Sequence, residues 1–124
     1  MDSILNSVKK KLGIQEDYTH FDEDIIIDIN SVFMILNQLG VGPDEPFTIE
    51  DEDTYWEDFI DNTRIEAVKS YMCMKVRLMF DPPTSGFLVD SLNKQIAELE
   101  WRMLVQAETP KLPEADMSGI YVSE

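Results

Sequence analysis

The densest set of chemistry-bearing side chains is the acidic run Glu50-Asp51-Glu52-Asp53, followed by Glu57, Asp58 and Asp61. Alternating carboxylates can hold calcium in a helix–loop–helix site, so that spacing is the first test. Asp51, Asp53 and Glu57 show some of the alternation. The position that needs glycine for the sharp turn holds Trp56, however, and no glutamate occupies the twelfth position. Calcium is therefore not expected, and neither is any other metal or cofactor. The lone His20 stands before an acidic helix start with no motif around it. The single Cys73 lies among helical apolar residues, which fits a buried inert thiol, excludes an internal disulfide and suits a reducing cytosol. There is no glycine-rich phosphate loop, no paired cysteine for zinc and no nucleophile with a local signature. The expected class is non-enzymatic.

Charge narrows the partners. The net charge is −15, and no Lys or Arg stands between Lys11 and Arg64. Nonspecific binding to DNA phosphates is disfavoured by such a surface. Residues 64–77 then carry Arg64, Lys69, Lys75 and Arg77, so an acidic surface of one copy could meet a basic surface of the next. The plain alternative is a solvated acidic face that keeps the chain soluble. A third use of the same charge is DNA mimicry, in which helical carboxylates block a nucleic-acid enzyme.

The elements that must position these groups are helical. Apolar residues recur at Ile65, Val68, Met72, Val76 and Met79, and again at Leu88, Leu92, Ile96, Leu99 and Met103. Steps of three and four put each set on one helix face. Asp81-Pro82-Pro83 separates them, because proline lacks the N–H and clashes with the preceding turn. The expected unit is an antiparallel hairpin, 63–80 and about 85–107, on which the rest packs. Thr63 and Glu66 fit a capping box, and Ser85 or Thr84 can cap the later helix. Ahead of the hairpin, residues 2–12 read as a short helix stopped at Gly13, and 22–39 as a second helix capped by Asp22 and stopped at Gly40. In that second helix Ile26, Ile27, Met34 and Ile35 widen the apolar stripe beyond one face, more than a peripheral helix of a monomer needs. Between them, Phe47 and Ile49 suit a short extended piece, and Tyr55, Trp56, Phe59 and Ile60 a helical turn. Second stripes at Ala67, Tyr71, Met74 and Leu78, and at Ala97, Trp101 and Leu104, favour burial between subunits. Pro110 and Pro113 forbid a regular helix beyond Glu108. No apolar run approaches the ~20 residues of a membrane span, and Lys9–Lys11 follows the apolar residues, so no signal peptide is read. The fold class is all-α: a small bundle of about four helices over 1–108, with an irregular acidic loop and an extended C-terminal tail at 109–124.

Specific residues carry a resemblance. The start Ser3-Ile4-Leu5-Asn6-Ser7-Val8-Lys9-Lys10-Lys11-Leu12-Gly13-Ile14, then Phe21-Asp22-Glu23-Asp24-Ile25-Ile26, resembles the head–tail connector (adaptor, head completion) proteins of tailed phages. So do Gln38-Leu39-Gly40-Val41-Gly42, Glu66-Ala67-Val68-Lys69, Leu78-Met79-Phe80-Asp81-Pro82-Pro83 and Gln95-Ile96-Ala97-Glu98-Leu99-Glu100-Trp101-Arg102. The ordered set over about 1–108 is more telling than any one motif. The resemblance implies a small α-helical bundle with no catalytic residues. It also implies a dodecameric ring in the virion neck, assembled in the host bacterial cytoplasm. Such a ring docks beneath the portal, extends the DNA channel and receives the next neck stopper or tail protein. DNA would pass without specific binding, and no membrane is involved.

On that reading, Lys69, Tyr71, Arg77, Leu78, Trp101 and Leu104 are the expected subunit-interface residues. Glu50, Asp51 and Asp53 are expected to face the channel. Leu112, Ile120, Tyr121 and Val122 are expected to anchor the tail on a neighbouring subunit or the portal, with Ile120-Tyr121-Val122 suited to an added β-strand. The alternative for the tail is to fold back on its own bundle.

Overall fold

The computed structural model describes residues 2–61 and 63–108. The helices follow the apolar periodicity: α1 Ile4–Lys11, α2 Asp22–Gln38, α3 Trp56–Phe59, α4 Ile65–Phe80 and α5 Gly86–Glu108. Among the described residues there is no strand, only an isolated bridge between Ser3 and Tyr55. The all-α bundle read from the sequence is the fold.

Both early helices end in the same motif. The Ile14 and Val41 amides reach back to the Lys9 and Leu36 carbonyls at 2.9 Å each, with Gly13 and Gly40 in the left-handed region between. This six-to-one bond satisfies carbonyls that the helix end would otherwise orphan. The starts differ from expectation. Asp22 does not cap α2; the cap position is Phe21, with no side-chain bond. The reason is electrostatic, since the Asp22 carboxylate is turned to Lys9 Nζ at 2.8 Å. Thr63 does not form the capping box with Glu66 either. Its hydroxyl donates to Asp61 Oδ1 at 2.7 Å, tightening the turn before α4, and α4 starts after Arg64 with no side-chain cap. Ser85 does cap α5, its hydroxyl accepting from the Leu88 amide at 3.4 Å.

The hub is α4, which packs against α2, α5 and α1. The expected order of packing is therefore corrected: α1 and α2 build the core with α4, and α5 lies on the outside of α4. Among the described side chains of α5 only Ile96 and Met103 are buried, whereas α2 alone buries Ile25, Ile29, Val32, Phe33 and Leu36. The irregular segment is pinned at two points. The Asn30 side-chain amide exchanges both hydrogen bonds with the Ile49 backbone, at 2.8 and 3.0 Å, standing in for a strand partner. Phe33, Phe47 and Phe59 close an aromatic triangle with centroids 4.7–5.2 Å apart. Beside it, Gly42 has φ +90°, and a β-carbon there would stand 2.4 Å from Phe59 Cε1. Gly42→Ala should cost about 2–4 kcal/mol, combining left-handed strain with overpacking. Gly13→Ala, at φ +81° with nothing within 4 Å, should carry the strain alone. Urea unfolding of the two variants checks the difference.

Candidate interaction surfaces

Charge is segregated along the fold. Residues 1–61 hold sixteen acids and three lysines, whereas residues 62–108 hold six acids and six bases. The α4–α5 half is thus neutral, and the excess acid sits on α2 and the segment before α3. Glu50, Asp51 and Asp53 lie exposed there, with Asp51 Oδ1 accepting from the Asp53 amide at 2.9 Å. Asp28 is half-buried on α2; burial raises its carboxyl, and the nearby Asp24 charge adds to this. A raised folded-state pKa means that ionised Asp28 costs stability above it and nothing below the ordinary carboxylate value. Asp28→Asn should therefore stabilise the fold at about pH 7, by a few tenths of a kcal/mol given solvent screening. The gain should vanish at about pH 3, and thermal melts at the two pH values read this directly.

The expected interface residues separate into engaged and free. Lys69 Nζ sits 2.8 Å from Asp2 Oδ2; this bond raises the ammonium and lowers the carboxylate. Arg77 Nε donates to the Asp81 carbonyl at 3.0 Å, closing the end of α4. Tyr71 is fully buried, and its hydroxyl donates to Glu100 Oε2 at 2.6 Å. Burial first, and this bond second, push the phenol far above its usual range. Tyr71 is thus used inside the chain, between α4 and α5, and offers no surface to a neighbour. Leu78 and Leu104 are half-buried. Trp101 is 64% exposed on α5. The tail residues Leu112, Ile120, Tyr121 and Val122 lie outside the described residues.

The four most exposed large apolar side chains of the described surface lie on α5 and α2. On α5 they are Phe87, 80% exposed, and Trp101; on α2 they are Ile27 and Met34, at 62% and 58%. The α2 pair belongs to the residues that widened its stripe in the sequence. Phe87 was not anticipated, because it falls off the core stripe just after the Pro-Pro turn. A groove of about 900 Å³ also opens between α1 and α4, lined among others by Asn6, Lys10, Lys11, Lys69 and Cys73. It mixes both signs of charge, and burial raises the Cys73 thiol, which opposes thiolate chemistry. Among the described residues, no group of three or more His, Cys, Asp or Glu is placed to hold a metal ion. No described helix is long and apolar enough to cross a membrane.

The described residues thus form a small all-α bundle with a neutral half and an acidic half. The family model described as "Phage connector protein" matches residues 4–110, and the chain belongs to that family. Its role is that of a structural connector of a phage. Comparison with curated proteins and with solved structures gives no match.

Proposed function

We propose that the chain is an adaptor subunit of the virion neck. Twelve copies form a ring beneath the portal, extend the DNA channel, and present a docking surface to the next neck stopper or tail protein. The match of the connector family to residues 4–110 carries this reading. The surfaces support it: a chain of net charge −15 still leaves Phe87, Trp101, Ile27 and Met34 bare to water, and aromatic and methionine side chains are enriched at the centre of protein contacts. Glu50, Asp51 and Asp53 line the lumen in this arrangement, where like charge keeps DNA moving past the wall. The acidic DNA-mimic alternative rests on charge alone. Electron microscopy of purified virions, with the chain located by labelling, tests the proposal. Density in the neck is the expected result, and absence from the neck overturns it.

A further inference from the structure

Three contacts fix how α2 and α5 lie within one chain. Phe21, at the start of α2, stacks on Phe80, at the end of α4, with centroids 5.4 Å apart. Glu100 of α5 faces Tyr71 and Lys75 of α4. A β-carbon at Gly40, past the end of α2, would lie 3.2 Å from that of Ala107, near the end of α5. Both helices therefore run antiparallel to α4, so they run the same way as each other, and their C-terminal ends stand at one level.

That shared level puts the exposed residues in register. Trp101 lies six residues before Ala107, and Met34 six before Gly40; Lys94 and Ile27 each lie thirteen before, and Phe87 and His20 twenty. All six are exposed. Seven-residue spacing keeps each helical set on nearly one face, since the drift is only ~20° per heptad. His20 stands just ahead of α2, stacked edge-on against Phe21 at 4.8 Å. The chemistry matches level by level. Trp101 is level with Met34, whose thioether would make a favourable sulfur–aromatic pairing. Lys94 can lay its stem along Ile27 and carry its ammonium to Glu23 or Asp24 one turn away, while its charge stays hydrated. Phe87 is level with the His20–Phe21 aromatic pair and would stack on it. Charge picks out the same pairing: α2 carries four acids and no base, so two α2 faces would only repel, whereas α5, with four acids and two bases, brings Lys94 to the acidic first turn of α2.

We infer that the outer face of α5 docks on the outer face of α2 of the next copy, in this register. The inference rests on the proposed ring and adds its contact. It also explains closure. Because the matching residues already share a level within one chain, a rotation about an axis along the helices pairs them with no axial rise. A heterologous contact without rise closes into a ring, whereas one with rise winds into a filament.

The test is cross-linking in phage particles. Met34→Cys and Trp101→Cys are combined in a Cys73→Ser chain, and a short bis-maleimide is added. Both sites are exposed, so far-UV circular dichroism of the purified variant should match the parent. The expected result is a ladder of multimers. Ile27→Cys with Trp101→Cys, about 10 Å out of level by helix rise, should give much less. Equal or stronger cross-linking of the offset pair overturns the level register. Particles that contain the chain but give no ladder from the 34–101 pair overturn the contact and leave the connector role standing. Dimers from Trp101→Cys alone show a two-fold α5–α5 contact and overturn it as well. Absence of the chain from particles removes the connector proposal itself, and this contact with it.

Discussion

Trp56→Ala should lower the stability of the chain by about 3–5 kcal/mol, the cost of a large aromatic cavity that the surroundings cannot refill. Trp56 is fully buried, although α3 is a single turn. Its indole Nε1 donates to Ser7 Oγ on α1 at 3.2 Å, and its backbone amide donates to the Asp2 carbonyl at 3.2 Å. The Ile4 amide returns a bond to the Thr54 carbonyl at 3.0 Å. The turn is thus clipped across the start of α1. Domains of this kind are stable by only about 5–15 kcal/mol, so the loss is a large share of the whole. Trp56→Phe keeps most of the apolar area and loses the indole bond, and should cost about 1–2 kcal/mol. Denaturant unfolding of both variants separates packing from hydrogen bonding; equal costs would show that the indole volume is not what holds α3. The same change should loosen Glu50–Asp53, which hang between the Ile49 and Trp56 anchors. Faster proteolysis within that segment than within α2 would report the loosening.

What the sequence made legible was periodicity, and what it hid was partnership. Steps of three and four located the long helices to within a residue or two, because Gly13, Gly40 and the Pro82-Pro83 pair leave the backbone few alternatives. Periodicity does not say which apolar face finds a partner inside the chain. Tyr71 looked like surplus apolar surface and is buried against α5. Leu88 looked like core and is 51% exposed on the first turn of α5. Caps failed where a stronger bond competed: Asp22 took a buried ammonium in preference to its own helix start, and Thr63 took Asp61. The connector family was legible from an ordered set of short motifs. The exposed register of Phe87, Lys94 and Trp101 was not, since it depends on where the ends of α2 and α5 meet in space.

Asp22→Ala should cost about 3 kcal/mol, although in the sequence Asp22 reads only as a helix-start residue. Its partner Lys9 is fully buried, with Nζ 2.8 Å from Asp22 Oδ1 and 3.0 Å from the Glu16 carbonyl. In the sequence Lys9 reads only as one of three lysines at the end of α1, where cations suit the helix dipole. The structure shows it folded inward, tying α1 to the first turn of α2. Removing one partner of a buried pair leaves an uncompensated charge, which typically costs 3–5 kcal/mol. The lower end applies, since Asp22 is 25% exposed and the Glu16 carbonyl remains to solvate the ammonium. Lys9→Met should be milder, about 1 kcal/mol, because it removes the buried charge itself and leaves a carboxylate that the N-terminal end of α2 and water both stabilise. Combining Lys9→Met with Asp22→Asn should restore most of the loss, for a well-packed apolar replacement of a buried pair is often neutral. A double-mutant cycle on unfolding free energies measures the coupling. If Asp22→Ala proved as mild as Lys9→Met, the ammonium would have found water or another acceptor, and the pair would not be what holds α1 against α2.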